Sequence, residues 1–507
     1  MSVDDITAPD ERKQPRYHFD RHTPEYRVQF EKITEEMHEK CPIAWSDTYG
    51  GHWVAAGSNA VFELARCPHI SNDHDINGER RGYKGISIPT SRRVVTRGGM
   101  LEMDDPEHRI YRNVLNPYLS PAAVARWEPF VHEIVRASID EKIESGRIDF
   151  IDDLANVVPA VLTMALLGIP LKMWTVYCEP THAAIYTPEH SPDAERVAQQ
   201  HREMGIDLIT RLNDAKVNPR PGLLNALINL RIDGEPAPDM EILGMLGLII
   251  GGGFDTTTAL TAHALEWLSE HPAERERLSR ERDTLLDPAT EEFLRFYTPA
   301  PGDGRTFSDD VELEGHQFKE GERVWISWAM ANRDPAVFHD PNEVVLDRKG
   351  NRHFSFGIGV HRCIGSNVAR TVFKDMLTRV LDRVPDFRCD PAGTVHREGQ
   401  PPLQLRHRRA SLHRLECGPY GVQGHADQRA RPDAGLPVRS RRHGALRHHR
   451  RHPGHAQAAR DVHPRQAAGP RSGRDAGEAA AHLRRAGARP PDHRTQGGRG
   501  HRLTALR

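Results

Sequence analysis

The sequence predicts a mainly α-helical protein with a smaller β region. Apolar residues recur at helical spacing through most of residues 106–285. The longest candidate helix runs from about Asp239 to Glu270, and at roughly 1.5 Å per residue it would span about 48 Å, most of a domain. The strand-like runs Val311–Leu313 and Arg323–Ile326 are short, and turn residues separate them.

The amino-terminal part of the chain predicts short elements of both kinds. Residues 1–20 form a flexible lead-in, and residues 23–40 have the apolar spacing of an amphipathic helix. A short strand over 52–56 and a helix over 59–66 follow. Residues 72–100 are rich in Gly, Arg and Ser, which predicts a long surface segment.

Proline and aspartate mark helix boundaries in the rest of the chain. Pro106 suits the first turn of a helix that carries His108 and Arg112. Asp239 is the expected N-cap of the longest helix, and Pro272 is expected to end it. Further helices are expected from Pro121 and over 193–213, 222–230, 289–298 and 365–383.

The last hundred residues differ sharply from the rest in composition. Residues 401–507 contain 23 arginines, no lysine and 7 acidic residues, a net charge of +16, so the first 400 residues carry −18. This segment has no Ile, Phe, Met, Asn, Lys or Trp, residues whose codons are mostly rich in A and T. We favour a GC-rich gene translated out of frame. The alternative is a disordered basic tail that binds nucleic acid, which the even spread of charge and the single aromatic residue, Tyr420, make less attractive.

Cysteine usage and apolar runs indicate a cytoplasmic protein without a membrane anchor. The six cysteines are scattered, with no C-x-x-C pair, and five of them are expected to be reduced, buried thiols. The first 40 residues contain no apolar run typical of a signal peptide or an anchor. The longest apolar stretch, residues 242–254, is too short to span a bilayer.

One cysteine, Cys363, lies in a distinctive loop just before the last helix. The segment reads HFSFGIGVHRCIG over residues 353–365. It resembles the signature F-x-x-G-x-[HR]-x-C-x-G of the cytochrome P-450 family of haem-thiolate monooxygenases. A match at five fixed positions arises by chance on the order of once in 10⁶ starting points. The matching residues are Phe356, Gly359, His361, Cys363 and Gly365, and Gly357 is a frequent family variant.

The resemblance implies that Cys363 is the axial ligand of a haem b iron, in a fold whose triangular helical domain has a long central helix over the haem. A cysteine at a helix start gains from unpaired N–H groups and the helix dipole, so we expect a lowered thiol pKa. Gly357 and Gly359 let the backbone turn tightly, and Phe356 can shield the sulfur. His361 can reach a haem propionate. The structural alternative is a buried cysteine before a helix.

The middle of the longest helix carries the sequence GGGFDTTT over residues 251–258. Glycines and threonines are poor helix formers, so we expect a local distortion, with a threonine hydroxyl bonded back to a carbonyl. In the family this position reads [AG]-G-x-[DE]-T, matched by Gly252, Gly253, Asp255 and Thr256. The resemblance implies that Thr256 steadies dioxygen and Asp255 relays protons. The alternative is a helix that packs on a neighbour through its glycines.

Two further sets of residues follow the family order. Glu292 and Arg295 match E-x-x-R, a common helical pair, and the resemblance implies that they join Arg348 to fix the cysteine loop. Four basic residues fall at family positions that hold the haem propionates, although each alone is typical of a solvated surface. They are His108, Arg112, Arg305 and His353.

The resemblance covers about residues 15–395 and divides the chain into a lead-in (1–20), a haem-thiolate monooxygenase domain (21–400) and the tail (401–507). It implies hydroxylation of an apolar sterol, fatty acid or terpenoid with O₂ and two electrons from a ferredoxin and its reductase. The ferredoxin would dock near Arg362, Arg370 and Lys374. The alternatives are a peroxygenase of the same family and a haem-binding protein with impaired turnover, since residues 405–409 do not continue the family's final hairpin.

Overall fold

The computed structural model describes residues 14–74, 84–89, 97–187 and 191–389. The tail and the last residues of the expected domain therefore lie outside the described residues. Part of the expected lead-in is described and is held in place: Tyr17 donates its N–H to the Trp45 carbonyl at 3.0 Å, and Phe19 is buried. The prediction of a flexible segment is wrong for these residues, because their backbone bonds to the first strand.

Helices dominate the described part of the chain, as predicted. They are α1 (Pro24–Val28), α2 (Phe30–Lys40), α3 (Ser58–Leu64), α4 (Glu107–Leu119), α5 (Pro121–Ala125), α6 (Glu128–Ile143), α7 (Val157–Leu167), α8 (Trp174–Tyr186), α9 (Ala194–Val217), α10 (Leu223–Ile228), α11 (Asp239–Glu270), α12 (Pro272–Arg280), α13 (Arg282–Tyr297), α14 (Trp328–Ala331) and α15 (Ser366–Arg383). Short helical turns lie at Thr48–Gly50, Gly99–Glu102, Phe150–Ala155, Leu171–Met173 and Gly359–His361.

Among the described residues, the β strands form one mixed sheet and two small hairpins. The strands are β1 (Ile43–Ser46), β2 (His52–Ala55), β3 (Ile70–Ser71), β4 (Arg231–Ile232), β5 (Glu235–Pro236), β6 (Asp303–Phe307), β7 (Val311–Leu313), β8 (His316–Phe318) and β9 (Arg323–Ile326). The sheet has the order β1-β2-β9-β6-β3, in which β2 pairs parallel to β9 and the other pairs are antiparallel. The hairpins are β4-β5 and β7-β8. Strands β7 and β9 have the predicted bounds.

The long helix α11 is the centre of the helical region. It packs against α7, α8, α15 and the turns Gly99–Glu102 and Phe150–Ala155. Its apolar residues join those of α6, α7 and α15 in the largest core cluster. Because neighbours surround it on several sides, α11 is apolar around much of its circumference, which explains its weak amphipathic pattern.

The structure confirms the bounds of α11 and corrects several neighbouring predictions. The residue before the helix is Pro238, so Asp239 is its first residue and not its N-cap. Pro272 begins α12, because the fixed φ of proline suits a first turn. The helix expected over 23–40 is divided at Gln29. The helix expected over 289–298 begins earlier, at Arg282, and includes Pro288.

The prediction that residues 72–100 lie on the surface is wrong for many of the described residues, although Lys84 and Pro89 are exposed. Asn72, Asp73, His74 and Arg97 are buried although they are polar. Buried polar groups require partners, and Arg97 has them: its guanidinium bonds to Glu107 on α4 and to Glu241 on α11. Composition predicted a surface location because it does not show such long-range pairs. Residues 75–83 and 90–96 lie outside the described residues.

In the described part of the chain, two helical stretches are long and apolar enough to cross a membrane by length and composition alone. They are Phe150–Leu167, of which 72% is buried, and α11, in which 39% of an apolar 18-residue stretch is buried. Both contribute to the core cluster, and core helices of this kind pass the same test. The burial of α11 is lower because the face that carries Gly252 is not covered by protein.

Candidate active site

The loop before α15 holds Cys363 in a fixed local geometry. The Cys363 N–H donates to the Phe356 carbonyl at 2.8 Å, and the Gly357 N–H donates to the Phe354 carbonyl at 2.7 Å. Gly357 and Gly359 have φ values of 62° and 72°, which favour glycine. A side chain at Gly359 would in addition come within 3.1 Å of the Ala65 carbonyl oxygen. The two glycines therefore fold the loop as the sequence predicted.

Cys363 is accessible to solvent, but protein atoms crowd around its thiol and reduce its hydration. Burial raises its pKa, while the Gly365 N–H and the charges of Arg112 and Arg362 act in the opposite direction. The prediction of a lowered pKa is wrong in net direction, because the loss of hydration outweighs these favourable groups. A Cβ added at Gly365 would lie 3.8 Å from the sulfur, so this glycine lets the backbone approach it.

Basic groups from three separate parts of the chain converge beside this loop. The rings of His108 and His361 have centroids 4.4 Å apart. Burial and the charges of Arg305, His108 and Arg112 lower the pKa of His361 to about 2. Arg305 is 5% exposed, and a carboxylate oxygen of Asp303 lies 3.9 Å from its guanidinium. The charges of Arg112 and Arg305, with the ring N–H groups of the two histidines beside them, are suited to bind an anion.

Arg112 links α4 directly to the cysteine loop. Its Nη2 donates to the Arg362 carbonyl at 2.6 Å. Burial lowers its pKa, and the nearby Cys363 acts in the opposite direction. Arg112 therefore supports the loop backbone as well as adding charge beside the thiol.

His353 has a different environment from the other predicted propionate residues. Its Nε2 is 3.0 Å from a carboxylate oxygen of Glu291 on α13, and its Nδ1 accepts the Ser355 N–H at 3.2 Å. Arg370 on α15 binds the same Glu291 through two bonds of 2.6 and 2.7 Å and lies 4.4 Å above the Phe356 ring. The structure thus places His353 in a cluster that holds the loop and not among the converging basic groups. Glu291 was missed by sequence reasoning because acidic residues are common on helices.

The three residues predicted to fix the cysteine loop, Glu292, Arg295 and Arg348, lie in contact with one another. Glu292 and Arg295 have no solvent exposure, and two hydrogen bonds of 2.8 Å join them. Arg348 donates to Glu292 at 2.9 Å, and so do the Val345 N–H at 2.8 Å and Asn351 at 3.0 Å. The buried carboxylate ties α13 to the chain that leads into the cysteine loop.

The glycines in the middle of α11 have two different roles. A Cβ at Gly253 would lie 2.6 Å from the Thr163 hydroxyl, so this glycine permits close packing of α7 on α11. A Cβ at Gly252 would meet nothing within 4 Å, because that side of the helix faces open space. Both interpretations of the motif therefore apply, each at a different glycine. The expected distortion does not interrupt the helix, which is continuous to Glu270.

Asp255 and Thr256, the acid and the alcohol of the motif on α11, bond to different partners. The Thr256 hydroxyl donates to the Gly252 carbonyl at 3.3 Å, as the sequence predicted. Asp255 accepts from His182 on α8, with 2.9 Å between the carboxylate oxygen and Nδ1. Sequence reasoning missed His182, since no motif marks a residue that lies 73 positions away.

Comparison with known proteins decides the family. The family model "Cytochrome P450" matches residues 190–402, which include α11, α13 and the cysteine loop. The chain is 28% identical over 344 residues to a methyl-branched lipid omega-hydroxylase of Mycobacterium tuberculosis, covering 66% of this chain and 78% of that one. It is 28% identical to linalool 8-monooxygenase of Pseudomonas putida, covering 69% and 88%. The chain belongs to the cytochrome P450 family.

Solved cytochrome P450 structures share the fold. CYP109E1 from Bacillus megaterium, in complex with testosterone, superposes with a TM-score of 0.64 at 26% identity and covers 73% of this chain and 94% of its own. The predicted fold class is confirmed. As a bacterial-type cytochrome P450, the protein is an oxidoreductase of the monooxygenase class, and the family implies a haem-thiolate cofactor.

The residues around Cys363 fit a haem. A haem needs a thiol that can reach its iron, an uncovered protein surface for its flat ring, and cations for its two propionate carboxylates. Cys363 is exposed, the Gly252 side of α11 is open, and the basic groups beside the loop include the buried Arg305, whose contact with Asp303 is a long one of 3.9 Å. Each requirement is met by a different element of the fold.

Proposed function

We propose that this cytochrome P450 holds haem b through Cys363 and hydroxylates an apolar small molecule with O₂ and two electrons from a redox partner. The observation that carries the proposal is the set of basic groups around a buried arginine beside an exposed cysteine thiol. In this assignment His108, Arg112, Arg305 and His361 bind the propionates. His353, which the sequence also assigned to a propionate, instead supports the loop through Glu291.

The chain's own residues would position and protect this chemistry. When bound, a thiolate-ligated haem activates dioxygen, because the thiolate donates charge that favours O–O cleavage. Gly365 presents its N–H to the sulfur, and Phe356 lies in the loop that carries it. On the opposite side, Thr256 presents a hydroxyl from the open face of α11, and Asp255 is the adjacent group that can carry a proton.

The proposed substrate class is a sterol, fatty acid or terpenoid. On α11 the apolar residues Leu243, Leu248 and Ile249 are only partly buried, and Ala300 lies exposed after α13. Apolar surface that other residues leave partly open favours an apolar ligand. The named relatives act on a methyl-branched lipid and on linalool, and CYP109E1 was crystallised with testosterone. A screen for ligand-induced shifts of the haem spectrum would identify the substrate.

The proposed partners are a ferredoxin and its reductase, in the cytoplasm. Arg362 is exposed beside Cys363, where a negatively charged partner could dock. The other two predicted docking residues have acidic neighbours: Arg370 binds Glu291, and Lys374 lies 2.9 Å from Asp287. Of these three residues, Arg362 is therefore the one whose charge is most available to a partner.

A carbon monoxide spectrum tests the cofactor assignment. The ferrous protein with CO is expected to show the Soret band characteristic of thiolate ligation, and Cys363→Ser is expected to lose it. Cys67→Ser is the matched control, because Cys67 is a free, partly buried cysteine on the β side. If Cys363→Ser keeps the thiolate-type band, the assignment is wrong.

A turnover assay separates the alternatives. Product that requires NADPH, ferredoxin and reductase supports the monooxygenase, whereas product formed with peroxide alone supports a peroxygenase. The Asp255–Thr256 pair argues against the peroxygenase, because peroxide needs no proton relay of this kind. A thiolate spectrum without turnover by either route would support a haem protein with impaired activity.

The role of residues 401–507 is a separate proposal. We propose that residues 21–400 form the catalytic unit and that the tail is a product of a changed reading frame. Sequencing of the gene and mass spectrometry of the native protein would test this directly. If the tail instead binds nucleic acid, DNA retention should fall steeply with salt and vanish when the tail is deleted.

A further inference from the structure

A carboxylate on α13 holds both of the charged or polar side chains that flank the Phe356 ring of the cysteine loop. The Arg370 guanidinium on α15 lies 4.4 Å from the centre of this ring, and the centre of the His353 ring lies 6.3 Å from it. Glu291 accepts two hydrogen bonds of 2.6 and 2.7 Å from Arg370, and His353 Nε2 is 3.0 Å from the same carboxylate. One acidic side chain therefore fixes the positions of two neighbours of the loop.

The arrangement keeps a charged pair beside the cysteine loop. The side chains of Glu291 and Arg370 are 31% and 24% exposed, so water screens their charges only in part. Burial opposes ionisation of Glu291, but its bonds to Arg370 and His353 outweigh burial and lower its pKa to about 2, so the carboxylate is charged near pH 7. The charge of Arg370 is therefore opposed at neutral pH by a group that is itself held in place.

The charge of Arg370 reaches the proposed iron ligand. Burial raises the pKa of Cys363, and Arg370 is one of the arginines whose charges act in the opposite direction. Phe356, whose ring lies under Arg370, also accepts the Cys363 N–H through its carbonyl at 2.8 Å. Arg370 thus contacts the loop at the residue that is bonded to the cysteine, and its charge favours negative charge on the sulfur.

Resting on the function proposed above, we propose that Glu291 and Arg370 are positioning residues that tune the reduction potential of the bound haem. Arg370 adds positive charge beside the sulfur and so favours the reduced form, which carries one more electron. Glu291 offsets that charge and holds the guanidinium over the Phe356 ring, where a planar cation is favourable. The potential then depends on the balance of two opposite charges at one point of the loop.

Redox titration of the substrate-free haem protein, followed by its absorption spectrum, measures this balance. Glu291→Gln should leave the Arg370 charge unopposed and raise the potential, whereas Arg370→Gln should leave the Glu291 charge unopposed and lower it. A unit charge about 10 Å from a redox centre, at an effective dielectric constant of about 20, changes the ratio of reduced to oxidised protein roughly tenfold, which is about 59 mV for one electron. The double variant should return close to the wild-type potential.

The opposite signs of the two shifts distinguish this role from a merely structural one. Loss of support for the loop would move the potentials of Glu291→Gln and Arg370→Gln in the same direction, because either change breaks the same pair. Shifts of both single variants in one direction, or of neither, would overturn the proposal.

The same two helices carry a matched control. Lys374 on α15 is 2.9 Å from Asp287 on α13, four residues from the first pair on each helix, but the Asp287 side chain is 81% exposed. Because solvent screens such a pair, Asp287→Asn should leave the potential unchanged. If Asp287→Asn shifts the potential as far as Glu291→Gln does, the charge of the whole surface sets the potential and the proposal is wrong.

The carbon monoxide spectrum separates this proposal from the function on which it rests. If the wild-type protein shows no thiolate-type band, the cofactor assignment is wrong and the proposal falls with it. If every variant shows the band but the potentials of the two single variants do not diverge, only the role of the pair is refuted. Should Glu291→Gln bind haem poorly, Arg370→Lys is the second test, since lysine keeps the charge without the planar fork. Its potential should lie between those of the wild type and Arg370→Gln, and a potential at or below that of Arg370→Gln would overturn the proposal.

Discussion

Glu292→Gln is expected to destabilise the protein far more than the same change at an exposed helical pair. Glu292 is wholly buried and accepts hydrogen bonds from Arg295, Arg348, Asn351 and the Val345 N–H. The amide that replaces the carboxylate keeps one acceptor oxygen, turns an NH₂ group towards these donors and leaves the buried Arg295 without its counter-charge. Breaking a buried ion pair in this way costs about 3–5 kcal/mol, a large part of a typical total stability of about 5–15 kcal/mol.

The chain contains a matched control for this prediction. Glu133 and Arg136 on α6 have the same spacing of three residues and a distance of 2.7 Å, but both side chains are more than 40% exposed. Glu133→Gln should therefore cost about 0.5 kcal/mol or less, because solvent screens exposed pairs. Urea unfolding followed by circular dichroism and by the haem band measures both variants. Equal losses of stability in the two variants would refute the argument that burial makes the Glu292 centre important.

The remaining predictions concern the cofactor, the central helix and acid stability. Arg305→Gln should weaken haem retention, measured by transfer to apomyoglobin, because the buried Arg305 is among the groups suited to a propionate; unchanged transfer would remove it from that role. Gly253→Val should cost about 1–3 kcal/mol through contact with Thr163, whereas Gly252→Val should fold normally but alter the haem spectrum. Burial opposes ionisation of Glu291, but Arg370 and His353 outweigh it and lower its pKa to about 2. Since this folded pKa is depressed, its contribution is full above the unfolded value of about 4.3 and is lost as the pH falls towards 2. In Glu291→Gln, urea midpoints should change less between pH 5 and pH 3 than in the wild type.

The sequence alone determined the parts of the site that depend on neighbouring residues. The positive φ values of Gly357 and Gly359 are local backbone requirements, so the residues of the cysteine loop show them directly. The bond from Thr256 to the Gly252 carbonyl is likewise a property of one helical turn. The order of these motifs was enough to predict the family and the mainly helical fold, which the comparisons confirmed.

The tertiary structure decided the partners that lie far apart in the chain. His353 turns to Glu291, Asp255 turns to His182, and Arg97 is buried against two helices. Helical periodicity shows which face of a helix is apolar, but not which helix will cover it or at what angle, and a displacement of a few ångströms decides whether two side chains can bond. The direction of the Cys363 pKa was also beyond the sequence. Burial of the loop is a property of the whole fold, and here it outweighs the nearby N–H and charges.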